Sequence, residues 1–357
     1  MTSKLRKFPL LLLTAILGGL LSGCGDSAEE EARFQAEIAR QDRLNALHDA
    51  CLESPTAVEE YRACVQYSRE TKNPVIGLGG GGEELPDDLF SGPGLEHVTV
   101  LFLNDNKLTD LPSSLTNLTN LKKLYLFKNE FTEIPEVVFE LPGLEKMSIT
   151  FNRISHISDK INNLSSLKSL DLGVNELATL PKSLAGLARL KYLNLEANRF
   201  ATIPASIATL PNVEYLSFAE NRLEAVPDAI TQMPSLKGVF LKDNHIHILP
   251  EQWDGMERLA VLHLARNSLS SLPVSLARLP QLGQSIEGHI GRLPFDVDNA
   301  EGMDEKFEER GIREVAHGID VSNNKFTSLD SAFCRVGWIN LENNPLTTEK
   351  FNFSCGK

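Results

Sequence analysis

Apolar residues recur along this chain at a fixed interval of 23 residues. Eight segments follow the pattern L-x-x-L-x-L-x-x-N, and the alternating apolar positions in each predict a short strand with one buried face. So strict a period predicts a solenoid of stacked units, because one unit could not bury its apolar residues alone. The eight segments end at Asn106, Asn129, Asn152, Asn175, Asn198, Asn221, Asn244 and Asn267.

The second half of each unit reads L-P-x-x-L-x-x-L and predicts a segment that returns the chain across the back of the stack. Proline stands after the first of these apolar residues in seven of the eight units, and Ser158 takes its place in the other. Proline has no N–H for a sheet ladder and therefore ends the strand side. The asparagine amide can both donate and accept, so we expect a buried amide ladder that satisfies the backbone where each strand bends.

This unit resembles the leucine-rich repeat family, in the subclass with 23 residues and an L-P pair, over about residues 85 to 346. The resemblance implies an α/β solenoid, a horseshoe with a parallel sheet on its concave face and irregular or short helical segments outside. It also implies binding more often than catalysis. Many unrelated roles share such a scaffold, so the fold leaves the partner open.

The period breaks after Asn267. Counting back from Leu293 and Pro294 places Gly288 in the asparagine position, and an acidic stretch, Asp296 to Arg310, follows. The register resumes at Ile319 and ends in a shortened unit. We therefore predict one degenerate repeat and an insertion at about 295–312.

Residues 1–23 have the features of an export signal: three basic residues, then an apolar run that ends at Leu21-Ser22-Gly23-Cys24. This end resembles a bacterial lipoprotein signal, which implies a lipid on Cys24. The alternative is a membrane-spanning anchor, but the run of about 14 residues is shorter than the ~20 that a span needs. An aspartate directly after the lipidated cysteine would favour retention of the protein at the inner membrane. Gly25 occupies that position here, which favours the outer membrane, with the protein on its periplasmic side or at the cell surface.

The formal net charge is −13, and it becomes −16 once the signal's three basic residues are removed. This strong negative charge argues against nucleic acid as a partner and against direct binding to anionic lipid. Contact with the membrane would therefore be through the lipid anchor alone. Residues 24–44, with three consecutive glutamates, are interpreted as an acidic tether.

Four further cysteines lie at the two ends of the solenoid. Three pairings are formally possible. Opposite ends of a solenoid do not meet, which favours Cys51–Cys64 and Cys334–Cys355, with a catalytic or metal-binding thiol as the alternative. The first pair suggests a helical cap over residues 45–84 that ends in a glycine-rich hinge, and the second suggests a cap over residues 347–357. With both ends capped, a monomer is expected.

No catalytic, metal or cofactor motif emerges. Gly77 to Gly82 match G-x-G-x-x-G by letter, but Leu85 and Pro86 follow where a phosphate-binding helix should begin. The acidic insertion has Phe307 where a calcium loop needs glutamate, and His245 and His247 lack a third ligand nearby. We expect no enzyme, cofactor or metal.

Function is therefore expected on the concave face, where aromatic and basic residues occupy outward-facing strand positions. Aromatic residues rimmed by charge are typical of binding hot spots, although stacking between strands is the alternative. We predict a recognition module that binds a protein or a glycan. The alternatives are a structural component of envelope assembly and an enzyme of the repeat-linked ligase type. The candidate contacts are Phe102, Tyr125, Phe127, Phe151, Tyr192, Tyr215, Phe240, His263, Lys123 and Lys146.

Overall fold

The computed structural model describes residues 27–52, 58–282, 318–336 and 338–346. Within them, eleven strands form one parallel sheet in sequence order, so each strand pairs with the strand of the next coil. This is the predicted leucine-rich repeat solenoid. The strands are β1 (Val75–Gly77), β2 (Val100–Phe102), β3 (Lys123–Tyr125), β4 (Lys146–Ser148), β5 (Ser169–Asp171), β6 (Tyr192–Asn194), β7 (Tyr215–Ser217), β8 (Gly238–Phe240), β9 (Val261–His263), β10 (Gly318–Asp320) and β11 (Ile339–Asn340).

Short 3₁₀ helices form the outer side of the coils. Most begin directly after the repeat's proline, whose fixed φ leads into the turn. Where Ser158 replaces proline, its hydroxyl accepts a hydrogen bond from the Lys160 N–H at 3.3 Å and caps the turn instead. The 3₁₀ helices span Ser113–Asn117, Glu136–Glu140, Asp159–Asn163, Lys182–Gly186, Ala205–Thr209, Asp228–Gln232, Val274–Arg278 and Ser331–Arg335.

The repeat asparagines form the predicted amide ladder. Asn129 Nδ2 donates to the Leu126 carbonyl of its own coil at 3.0 Å and to the Leu103 carbonyl of the preceding coil at 2.9 Å. Its Oδ1 accepts the Leu108 N–H, also of the preceding coil, at 3.1 Å. One buried side chain thus satisfies backbone groups of two coils, which explains why the residue recurs without exception.

The residue before each ladder asparagine has a left-handed backbone, with φ between 52° and 56°. This bend turns the chain from the strand toward the outer side. Few of these residues are the glycine or asparagine that such a φ favours. They are Asp105, Lys128, Phe151, Val174, Ala197, Glu220, Asp243, Arg266, Asn323 and Asn343.

The glycine-rich run is part of the first coil, so its prediction as a flexible hinge is wrong. Leu78 in this run is fully buried, and the Asn106 side chain accepts hydrogen bonds from the N–H groups of Gly81 and Gly82. A Cβ on Gly82 would lie 1.7 Å from the Tyr61 hydroxyl. The glycines are there because the cap helix packs closely against the coil, and the solenoid begins one coil earlier than residue 85.

The degenerate repeat predicted after Asn267 contributes no strand between β9 and β10. Strand β9 pairs directly with β10, with Val261 opposite Gly318, and Asn324 Nδ2 donates to the Leu264 carbonyl at 3.0 Å. The coil of Asn324 therefore follows the coil of Asn267 in the stack, with no degenerate coil between their strands. Counting back from Leu293 and Pro294 suggests a repeat at Gly288, but the direct pairing of β9 with β10 leaves no place for its strand between them.

Two helices precede the solenoid: α1 (Ser27–Leu52) and α2 (Val58–Thr71). Helix α1 covers most of the predicted acidic tether, because residues 27–44 are rich in alanine and glutamate and contain neither glycine nor proline. The described side chains between residues 35 and 46 are nearly all exposed, as expected of a solvated segment. Helix α2 packs Tyr61, Cys64 and Val65 into the core and caps the first coil.

Several predictions fall on residues or side chains beyond these ranges. The signal peptide, Cys24, the insertion at about 295–312, the cap at 347–357 and Cys355 lie outside the described residues, and so does the Cys51 side chain. Cys64 and Cys334 are disulfide-bonded, while the predicted pairing with Cys51 and Cys355 stays a prediction. None of the helices in the described ranges is long and apolar enough for a membrane span.

Candidate binding surface on the concave sheet

The concave face consists of the strand residues that alternate with the buried leucines. The first and third residues of each three-residue strand point away from the core, and the parallel register aligns them across the sheet in two rows. We call these the first-residue row and the third-residue row. From β2 to β10, the third-residue row reads Phe102, Tyr125, Ser148, Asp171, Asn194, Ser217, Phe240, His263 and Asp320.

Three of the predicted contact residues are buried. Tyr125, Phe127 and Phe240 are 1%, 7% and 4% exposed, so their rings are closed to a large ligand. Neighbouring strands, ~4.8 Å apart, place other side chains against them. The Phe102 and Tyr125 rings stack at 4.6 Å and 8°, and the Lys146 ammonium lies 5.8 Å from the Tyr125 ring centroid. The burial of these three rings favours packing within the solenoid, the alternative interpretation, and their role as contact residues stays a prediction.

The remaining candidates are half-buried and keep part of their surface toward solvent: Phe102, Phe151, Tyr192, Tyr215, His263, Lys123 and Lys146. Phe151 differs from the others because it occupies a left-handed bend, with φ of 55°, and not a strand. His263 Nε2 lies 3.1 Å from a carboxylate oxygen of Asp320 on the next strand. The structure therefore separates the predicted set into an aromatic stack near the first coils, a tyrosine pair in the middle and a His–Asp pair near the last coils.

The tyrosine pair stands at the centre of the first-residue row. The Tyr192 and Tyr215 rings stack at 5.5 Å and 17°. Gly238 follows in the same row, and a Cβ there would lie 2.8 Å from Tyr215 Cδ1 and 3.1 Å from Phe240 Cε2. The glycine leaves the space that lets Tyr215 lie against the sheet, and burial raises the pKa of Tyr215 above its usual value.

A buried carboxyl group lies beside the tyrosine pair, in the third-residue row. Asp171 Oδ1 accepts hydrogen bonds from the Gly173 N–H at 3.1 Å and from Asn194 Nδ2 at 2.9 Å. Burial outweighs these bonds and raises the pKa of Asp171 to about 7. With Ser148, Asn194 and Ser217, this residue forms a polar centre between the aromatic ends of the row.

Sequence reasoning missed Asp171. It also missed Trp338, a large apolar residue whose exposed fraction is 37%. Trp338 belongs to the last coil, and its indole lies against Gly318, where a Cβ would be 2.9 Å from Trp338 Cε3. Aligning the units residue by residue would have placed both on the concave side. Within the described ranges, no three His, Cys, Asp or Glu side chains come together as a metal site.

Comparisons with known proteins identify the repeat. The family model described as "Leucine rich repeat" matches residues 142–200, and the one described as "Leucine Rich repeats (2 copies)" matches residues 96–138. The chain carries leucine-rich repeats. A comparison with curated protein sequences found no significant match.

Solved leucine-rich repeat structures share the fold. A leucine-rich repeat protein of Leptospira interrogans has a TM-score of 0.60 at 26% identity, over 81% of this chain and 70% of that one. An internalin of Listeria monocytogenes has a TM-score of 0.58 at 19% identity, over 83% and 84%. The plant peptide hormone receptor RGFR1, solved in complex with RGF2, has a TM-score of 0.54 at 24% identity. The match covers 79% of this leucine-rich repeat chain but 41% of that receptor.

Proposed function

We propose that this protein is a non-enzymatic recognition module that binds a protein ligand on the concave face of its leucine-rich repeats. The observation that carries the proposal is the Tyr192–Tyr215 pair, half-buried in the middle of the sheet and packed against Gly238. Tyrosine pairs held rigid by packing supply contact area at low entropic cost and are frequent hot spots of protein interfaces.

The surroundings of the pair suit a polypeptide. Beside the rings, the exposed side chains of Lys191 and Lys237 offer charged hydrogen-bond donors, so polar and apolar groups of a polypeptide would both find partners. RGFR1, whose repeats share this fold, was solved with its ligand RGF2. A protein ligand is therefore favoured over a glycan.

The proposal includes attachment to a membrane through a lipid on Cys24, with the pairs Cys51–Cys64 and Cys334–Cys355 closing the two caps. It rests on the sequence features of the first 24 residues and on the disulfide-bonded state of Cys64 and Cys334. Expression of the full chain in a bacterium with labelled palmitate tests the anchor. We expect the wild type to carry the label. The Cys24→Ser variant should carry none and should be absent from the membrane fraction. Equal labelling of both proteins would refute the lipid anchor.

The binding proposal is tested with the soluble domain from residue 27 onward as bait for surface proteins of the source cells. The Tyr192→Ser/Tyr215→Ser variant should lose the captured protein. Ile248→Ser/Val274→Ser, which removes two exposed apolar residues outside both rows, is the matched control and should retain it. Equal capture by both variants, with equal folded fractions by circular dichroism, would show that the concave face is not the site, and capture of a glycan alone would exclude a protein ligand.

A further inference from the structure

A groove runs along the edge of the sheet, where the outer segments lead into strands β5 to β9. Its volume is about 390 Å³, within the range of small-ligand sites. Small and polar residues, among them Ala188, Asn212 and Ser235, occupy its walls, and Asn212 Nδ2 donates to the Ala188 carbonyl at 2.8 Å. The hydrogen bond ties neighbouring coils together, so the groove has a fixed shape.

The charge of this groove is opposite to that of the whole chain. Four of its lining residues are basic and one is acidic, although the chain has 35 basic and 48 acidic residues. The one acidic residue, Glu214, is held between Lys191 Nζ at 3.0 Å and Lys237 Nζ at 2.7 Å. Burial raises the pKa of Glu214, but these lysines outweigh it and leave the pKa below its usual value. The groove therefore keeps a positive excess after its own ion pair is formed.

That excess is carried by Arg189 and Arg258, because Lys168 is paired with Glu145 and Lys191 with Glu214. Lys168 and Lys191 occupy the same position in adjacent coils, where the Lys191 N–H donates to the Lys168 carbonyl at 2.9 Å. Arg189 lies next to this pair and Arg258 at the other end, and neither arginine forms an ion pair with any described residue. Unpaired guanidinium groups along a fixed groove suit carboxylates, which they can bind through two parallel hydrogen bonds.

We propose that this groove binds an acidic segment of the protein ligand, with Arg189 and Arg258 receiving its carboxylates. The inference deepens the proposed function, because the groove adjoins the tyrosine pair: Lys191 and Glu214 directly precede Tyr192 and Tyr215 in the chain. A ligand with glutamates or aspartates beside an apolar or aromatic residue would contact both. A long polyanion is disfavoured, because beyond the groove it would meet an acidic protein surface.

The probe is a fluorescein-labelled synthetic peptide with glutamates on both sides of one tyrosine, and its control is the same peptide with glutamines. Fluorescence anisotropy with the soluble domain should give binding of the glutamate peptide that weakens as salt rises. Arg189→Glu/Arg258→Glu should weaken that binding by about tenfold or more. The matched control, Lys182→Glu/Arg222→Glu, makes the same change of net charge at exposed positions outside the groove and should bind as the wild type does.

Three outcomes would overturn the inference: equal binding of the glutamine peptide, equal loss in both charge variants, or binding of heparin or tripolyphosphate without binding of the peptide. The tyrosine variant separates the two proposals. If the protein captured from cells is lost with Tyr192→Ser/Tyr215→Ser but kept with Arg189→Glu/Arg258→Glu, the groove is not used and the recognition function stands. If peptide binding requires the arginines but capture of the cellular protein is unchanged in the tyrosine variant, the groove proposal is supported and the concave-face site is refuted.

Discussion

Replacing Asp171 by asparagine should stabilise this protein at neutral and alkaline pH. The Asp171 carboxyl is buried on the concave face, and burial raises its pKa to about 7 from an ordinary 3.8. Because the folded state holds this proton more tightly than the unfolded state, stability is greatest while both states are protonated, below about pH 4. It falls as pH rises toward 7, where the unfolded chain has lost the proton and the folded protein retains it.

The magnitude follows from the size of the shift. A difference of about 3 pKa units corresponds to about 4 kcal/mol, at about 1.4 kcal/mol per unit. Asparagine has the same shape, can accept the hydrogen bonds from Gly173 N–H and Asn194 Nδ2, and does not titrate. The gain in unfolding free energy of Asp171→Asn over the wild type should therefore grow by about 4 kcal/mol between pH 4 and pH 8.

Urea unfolding monitored by circular dichroism at several pH values measures this difference. Asp320→Asn is the control with the opposite sign. Burial raises the pKa of Asp320, but hydrogen bonds from His263 and the Ser322 N–H outweigh it and lower the pKa below its usual value. Asp320 therefore stabilises the protein above its unfolded pKa, and that contribution is lost as pH falls through the folded pKa. Parallel curves for Asp171→Asn and wild type between pH 4 and pH 8 would refute the reasoning, since Asp171 would then titrate alike in both states.

Three further predictions concern the coils. Asn198→Ala leaves buried backbone groups of two coils without partners and should cost about 3 kcal/mol or more in urea unfolding; a loss below about 1 kcal/mol would contradict the ladder's role. Val174→Asn should add about 1 kcal/mol, because asparagine tolerates the φ of 54° better than a β-branched residue does; a thermal scan showing destabilisation would count against this. Gly238→Ala should displace Tyr215, lowering stability by about 1–3 kcal/mol and weakening ligand capture, and unchanged tyrosine fluorescence and capture would argue against that contact.

Where the sequence failed, the reason was contact between residues far apart along the chain. The glycine run Gly77 to Gly82 has a composition typical of a hinge, yet Tyr61 on the cap helix and Asn106 on the next coil hold it in place. Likewise, the pair Leu293 and Pro294 suggests a repeat at Gly288, but the pairing of β9 with β10 leaves no strand position for it.

The sequence by itself determined the repeat, the parallel sheet and the asparagine ladder, because each depends on a pattern that recurs within every unit. Only the tertiary structure decided which concave residues are accessible. Tyr125 in the third-residue row and Tyr192 in the first-residue row both occupy outward-facing strand positions. Tyr125 is covered by a stacked phenylalanine and a lysine, whereas Tyr192 stays half-buried. Exposure, the pKa of Asp171 and the positive groove all depend on what the neighbouring coil places ~4.8 Å away, and no single unit contains that information.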